Sequence, residues 1–152
     1  MKVLTQILLI LSVLGVSPSW ACSYDGQFIN PFTESYPGSL DVVIATQKAL
    51  ANNQIVKPKN VEGAQGLQRA VWWLKLFVKN NQEVLPEEGY IYLADSHLWS
   101  KFTKMGKIEV HALAPQDNKH VLVISEYALS NLISKNISYE QSQQLGLVEH
   151  NY

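Results

Sequence analysis

The longest regular alternation of apolar and polar positions lies in the middle of the chain. Leu67, Ala70, Val71, Leu74, Phe77 and Val78 recur at helical spacing, while Gln68, Arg69, Lys75 and Lys79 fall largely off that stripe. A helix lying on a core needs an apolar stripe on one side and polar residues on the other. The pattern therefore predicts a central amphipathic helix over about 64–80. An earlier helix is expected over 39–53, with Leu40, Val43, Ile44 and Leu50 on one face and Gln47 interrupting it. Ser39 is placed to cap it and Asp41 suits its first turn. The β-branched run Val42-Val43-Ile44 leaves a strand open as the alternative. Residues 54–63, with Lys57-Pro58-Lys59, read as a connection.

Beyond the central helix the period changes. Leu85-Pro86-Glu87-Glu88-Gly89 is a polar loop, and Tyr90-Ile91-Tyr92-Leu93-Ala94 is a strand of aromatic and aliphatic residues. Asp95-Ser96 is expected to cap a short helix over 97–102, which Gly106 breaks. Residues 107–113 alternate, with Ile108, Val110 and Ala112 on one face and Glu109, His111 and Leu113 on the other. Residues 115–119 read as a hairpin turn into a second apolar strand over 120–124, which makes these two strands antiparallel neighbours. Ser125 caps a helix over 126–133. Ser138 and Gln141 form a capping box that opens a last short helix, closed by Gly146. Leu147-Val148 adds a few strand residues. The sum is an α+β fold, a single domain over 39–152. In it a small, mainly antiparallel sheet packs on the central helix, with short helices near the C-terminus.

The first 21 residues stand apart from this pattern. Lys2, an apolar run over 7–16 and the small residues Ser19 and Ala21 before Cys22 make a secretory signal peptide. The run is too short for a membrane span, which needs about 20 apolar residues. Export to the periplasm is expected. Cys22, the one cysteine, is either the free first residue of the mature chain or a site of lipidation, which would anchor the protein to the outer membrane. It cannot make an internal disulfide, so the fold rests on its core. Residues 22–38 carry turn signals and no regular element, yet Tyr24, Phe28, Phe32 and Tyr36 recur every four residues. They read as an aromatic arm, held on the domain by its rings or presented to a partner.

Charge narrows the partners. The formal net charge is −1, with 12 basic and 13 acidic side chains well mixed along the chain, and removal of Lys2 with the leader makes it one unit more negative. There is no basic patch, so nucleic acid is not an expected partner, and no polybasic stretch for a membrane surface. Membrane contact is expected only through an anchor at Cys22.

Catalytic constellations are not visible. There is no Gly-x-Ser-x-Gly elbow and no Gly-rich phosphate loop. A Cys–His nucleophile would need Cys22 buried beside a histidine, whereas the expected processing leaves it at a chain end. His97, His111, His120 and His150 show no His-x-x-x-His spacing. Glu109, His111 and His120 are able to gather around a metal if their strands pair. A half-wet sheet face presenting polar side chains is the favoured explanation, since strands routinely present polar alternates, so no metal and no cofactor is expected. His150 is expected to fray, and Glu87-Glu88 to be a solvated turn. Asn136-Ile137-Ser138 is formally a glycosylation sequon, and Ser138 is accounted for as a helix cap. Trp72-Trp73 is the strongest lead. Adjacent helical residues point about 100° apart, so one ring faces the core and the other must find a second contact. Trp99 and Phe102 raise the same question.

From Val121 and Leu122 through Leu132-Ile133, Ser138-Tyr139-Glu140-Gln141 and Gly146-Leu147-Val148, the order of elements resembles the end of sterol carrier protein type 2-like domains. It shares their strand, short helix, turn, short helix and closing Gly before a last strand. The family's turn glycine is missing near Ser134-Lys135 and the closing strand is truncated. The resemblance implies an α+β fold with an apolar tunnel for a lipid-like ligand.

These readings point to an exported envelope protein, non-catalytic, that binds or assists a partner. A protein partner would be engaged through Trp72, Trp73, Trp99, Phe102, Tyr24, Phe28 and Phe32. Alternatively, an apolar small molecule or lipid would lie beside the central helix. An enzyme with a dispersed site is the third possibility.

Overall fold

The computed structural model describes residues 22–26, 28–116 and 119–151; the signal-peptide expectation for 1–21 lies outside them. The order is a short 3-10 turn (Ser23–Asp25), α1 (Ser39–Ala51), α2 (Gly63–Asn80), β1 (Glu88–Leu93), β2 (Leu98–Thr103), β3 (Ile108–Val110), β4 (Val121–Ile124), α3 (Glu126–Ile133), α4 (Tyr139–Gln144) and β5 (Val148–Asn151). The five strands form one sheet in the order β3-β2-β1-β4-β5. Its pairs are antiparallel except β1 with β4, which run parallel. The fold is thus α+β, with a small, mostly antiparallel sheet. Among the described residues no helix is long and apolar enough to cross a membrane.

Strand alternation divides the core between the two faces of the sheet. Ile91, Leu93, Leu98, Phe102, Leu122 and Ile124 point to one face. There they meet Ala70, Trp73, Leu74, Phe77 and Val78 of α2 and Ala128 and Leu129 of α3. Tyr92, Trp99, Val121 and Val123 point to the other and meet Val42 and Val43 of α1. Of the stripe read along 67–78, Ala70, Leu74, Phe77 and Val78 are buried and Leu67 packs against them, whereas Val71 lies at the edge and Trp73 takes a place on the buried face. Val42-Val43 is helical because Val42, Val43, Thr46 and Ala49 give α1 a buried face, rotated from the face expected through Leu40, Val43, Ile44 and Leu50, so that Ile44 is exposed.

Four expectations are corrected. Residues 97–102 are not a helix but the core of β2. Leu98 and Phe102 are four apart, which suits a helix turn, yet they also share a strand face with Ser100. Asp95 and Ser96 belong to the four-residue hairpin loop over 94–97, where His97 takes a left-handed conformation (φ 54°). Second, β3 and β4 are not neighbours: β3 pairs with β2 at one edge, and β4 lies on the far side of β1. Val121–Ile124 is buried at every position, the signature of a strand covered on both faces. Third, Ser39 lies inside α1, and Gly38 precedes it with φ 81°. The Glu149 carboxylate occupies the space a Cβ at Gly38 would need, so glycine is required there twice over. Fourth, His150 is not frayed. It sits in β5 opposite Leu122, with Nε2 2.6 Å from the Tyr139 hydroxyl.

The caps read for the C-terminal helices are present. The Ser125 hydroxyl accepts from Ala128 N and the Ser138 hydroxyl from Gln141 N, with Gln141 reaching back to Ser138. Ser125 also accepts from the Thr46 hydroxyl at 2.8 Å, which ties α1 to the start of α3. Asn131 secures the connection after α1. Its amide accepts from Val56 N at 2.9 Å and donates to Val56 O at 2.8 Å.

Candidate functional site

The parallel pairing of β1 and β4 sets Leu93 beside Ile124. Two residues beyond each of them is a carboxylate, Asp95 and Glu126. The ends of parallel strands are where α/β sheets gather ligand-binding groups, and here they open into a cavity of about 380 Å³. Its walls include Tyr24, Lys57, Lys59, Arg69, Ser96 and Tyr127 as well as the two acids.

Each of these groups is held by its own element. The Asp95 carboxylate accepts the Glu126 N–H at the start of α3, an orphan donor at the positive end of a helix. Glu126 receives the Arg69 guanidinium through Nη2 at 3.0 Å and the Tyr24 hydroxyl at 2.6 Å, short as a charge-assisted bond should be. Arg69 leaves α2 one turn before Trp73, and its guanidinium carbon sits 4.4 Å from that ring's centroid. It also donates to the Lys59 carbonyl. Tyr24 reaches Glu126 because Gly66 leaves room for its ring: a Cβ there would lie 2.9 Å from Tyr24 Cε1.

The electrostatics follow from this crowding. Burial first, and then the nearby Glu126 charge, push the Asp95 carboxyl from 3.8 up to about 7, against the helix N–H groups that hold it down. Burial and Glu126 push the Tyr24 phenol well above its usual range, so it remains a hydrogen-bond donor. Among the described residues, Ser96 Oγ and Arg69 Nε are buried without a hydrogen-bond partner. Buried polar groups are normally paired, so these two enclosed atoms are strained points of the cavity wall, while Lys57 and the Nη atoms of Arg69 are cationic groups along its lining.

A shallower groove continues from this cavity. It is lined by Phe32, Gln47, Leu50, Asn53, Ile55, Val56, Lys57 and Tyr127. Lys57 and Tyr127 border both, so a charged well and a partly apolar groove share one rim.

The rings singled out in the sequence separate into two sets. Trp73, Trp99 and Phe102 are core residues. Trp99 stacks with Tyr92 at 4.6 Å and meets Tyr36 edge-on at 5.0 Å, and Phe102 also lines a mainly apolar cleft of about 260 Å³ with Leu85, Tyr90 and Leu122. Trp72, Phe28 and Phe32 are exposed, at 56%, 96% and 55%. Tyr24 and Tyr36 hold the arm down.

The candidate metal trio is not assembled. Glu109 lies on β3 and His120 just before β4, with β2 and β1 between those strands. His111 instead turns to Cys22, which is buried, not a loose terminal thiol. Cys22 Sγ lies 3.5 Å from His111 Nε2 and 3.4 Å from Asp25 Oδ2. Burial and Asp25 raise the thiol pKa, the opposite of an activated nucleophile.

Sequence reasoning missed Arg69, Asp95, Ser96 and Glu126. A signal was present in Leu93-Ala94-Asp95 and Ile124-Ser125-Glu126, two apolar strands each followed by a small residue and an acid. It becomes visible only once the two strands are known to be parallel. No family model, no curated protein and no solved structure matches the chain.

Proposed function

We propose that the protein is a non-catalytic binding protein of the bacterial envelope that holds an extended segment of a partner protein. The apolar side chains of that segment would rest on Phe32, Val56 and Tyr127, and an acceptor oxygen, a carboxylate or carbonyl, would enter the well at Lys57 and Arg69. The observation that carries this reading is the shared rim at Lys57 and Tyr127, which joins a partly apolar groove to a well lined by charged groups. The exposed Phe32 ring lines that groove, and Phe28 stands free on the same arm. Both places are shallow enough for a polypeptide, and neither requires the core to open.

The test is recovery of partners from an envelope extract by the wild-type chain and by a Phe28→Ser/Phe32→Ser/Val56→Ser variant. These side chains are exposed, so the variant should keep its fold. Loss of the bands that wild type recovers supports the reading, and equal recovery removes the groove and arm from it.

A second reading is favoured by Asp95. A carboxyl that titrates near 7 in a cavity suits a general acid or base. Here the enzyme would act on a substrate bound between Asp95 and Lys57. Turnover of a small-molecule hydrolase panel that disappears in Asp95→Asn would establish it; no turnover by the folded wild type would set it aside.

A further inference from the structure

The Ser23–Asp25 turn that carries Tyr24 into the well carries Cys22 and Asp25 to the loop after β3. There His111 adopts φ 58° and sets its ring against the thiol. One donor atom from each of Cys22, Asp25 and His111 lies within 4.8 Å of the others. Sγ is 3.4 Å from Oδ2 and 3.5 Å from Nε2. In a tetrahedral zinc site with bonds of ~2.3 Å to sulfur and ~2.0–2.1 Å to nitrogen or oxygen, the donor atoms stand about 3.3–3.6 Å apart. The two sulfur edges already have that length. Cys22 and Asp25 share one turn, three positions apart, and His111 meets the thiol across 89 positions, so the third donor is brought in by the fold. Cys22 is buried, but Asp25 and His111 are exposed, which leaves a side open to solvent.

We propose that Cys22, Asp25 and His111 form a binding site for a borderline divalent cation of the Zn²⁺ class, through thiolate, carboxylate and imidazole. Binding exchanges the thiol proton for the metal, and that proton passes to solvent. Thiolate with imidazole selects Zn²⁺ and its neighbours over Mg²⁺ or Ca²⁺, which take oxygen. Three protein ligands leave a fourth position. The Cys22 nitrogen also lies 3.3 Å from Asp25 Oδ2. In a chain processed before Cys22 it is an amine that closes a five-membered chelate with Sγ. The site is independent of the peptide-binding reading and uses none of its residues.

The experiment is a Co²⁺ titration of the chain purified under reducing conditions from an exporting host. A near-ultraviolet thiolate-to-cobalt band that saturates at one equivalent and is abolished by Zn²⁺ is the expected result. Cys22→Ser should remove the band. Asp25→Asn and His111→Asn should each weaken affinity by at least about tenfold, as loss of even a supporting partner does. Asparagine tolerates the left-handed backbone at 111, so His111→Asn should stay folded, to be checked by circular dichroism. Glu109→Gln should bind as wild type. The proposal is overturned by no band in the folded wild type, by wild-type affinity in both Asp25→Asn and His111→Asn, or by a mass showing Cys22 acylated.

Discussion

Asp95 takes the backbone N–H of Glu126 on both carboxylate oxygens, at 2.9 Å each. One acid therefore caps the helix on which the other acid rides, and the two charges are forced together at the ends of β1 and β4. Arg69 and Tyr24 relieve Glu126 directly. Asp95 is left with the helix N-terminus, which favours its charge, and with burial and the Glu126 charge, which oppose it. The outcome is a carboxyl shifted to the middle of the pH scale.

That shift makes stability depend on pH in a defined direction. The folded-state pKa of Asp95 is raised from 3.8 to about 7. Between those values the folded chain holds a proton that the unfolded chain has released. The contribution of this group is thus greatest below about pH 4 and is lost as pH rises towards 7. Asp95→Asn should remove the dependence, because its amide oxygen still accepts from Glu126 N and carries no charge. Relative to wild type, the variant should gain on the order of 1–2 kcal/mol at pH 8 and little or nothing at pH 4. Urea melts at both pH values check this, and a gap that shrinks as pH rises would sink it.

Arg69 should resist conservative replacement. Arg69 and Glu126 retain only 21% and 13% side-chain exposure, so Arg69→Met leaves a largely enclosed carboxylate with Tyr24 alone. The expected cost is about 2–3 kcal/mol, below that of a fully buried pair because water still reaches it. Arg69→Lys restores the charge but not the planar group that lies over Trp73 and reaches the Lys59 carbonyl, and should recover less than half. In Arg69→Met/Glu126→Gln the loss should be smaller than in Arg69→Met. Denaturant midpoints give the comparison, and a Lys variant as stable as wild type would contradict it.

The legible part of the fold is the part governed by local pattern. The α2 stripe, the caps Ser125 and Ser138 and the apolar β4 needed only near neighbours in sequence. The missed part depended on pairing. Leu98 and Phe102 satisfy both a helical and an alternating period, and only their pairing with Leu93 and Gly89 decides for a strand. The parallel β1–β4 pair was hidden because the 111–120 segment resembles a hairpin when β2 is read as a helix. The site was hidden with it, since Asp95 and Glu126 meet only through that pair. In sequence Cys22 reads as a chain end, whereas its burial against His111 is a contact across 89 positions.

Asn131 should behave as a structural clasp. It is 1% exposed, holds both Val56 backbone groups, and donates to the Tyr127 carbonyl. Asn131→Ala strands the Val56 N–H and C=O together, at a cost of about 2–3 kcal/mol. Because Lys57 and Tyr127 form the shared rim, the variant should also loosen the groove. Hydrogen exchange at Val56 and Lys57 should quicken more than in β1 or β4. Uniform exchange across the chain would show that the clasp acts only on global stability.

The adjacent tryptophans should give opposite results. Trp73 is 8% exposed, packed in the main core and covered by Arg69. Trp73→Ala should cost about 3–5 kcal/mol, the usual loss for a large core ring. Trp72, at 56% exposure on the neighbouring direction of α2, should change stability by no more than about 0.5–1 kcal/mol when replaced by Ala. If Trp72 contributes to the partner surface, Trp72→Ala will reduce recovery of the partner that the Phe28, Phe32 and Val56 side chains also hold, with the melting temperature nearly unchanged. An equal fall in stability for both variants would place Trp72 in the core after all. An unchanged recovery alongside an unchanged melt would restrict the partner surface to the groove and the arm.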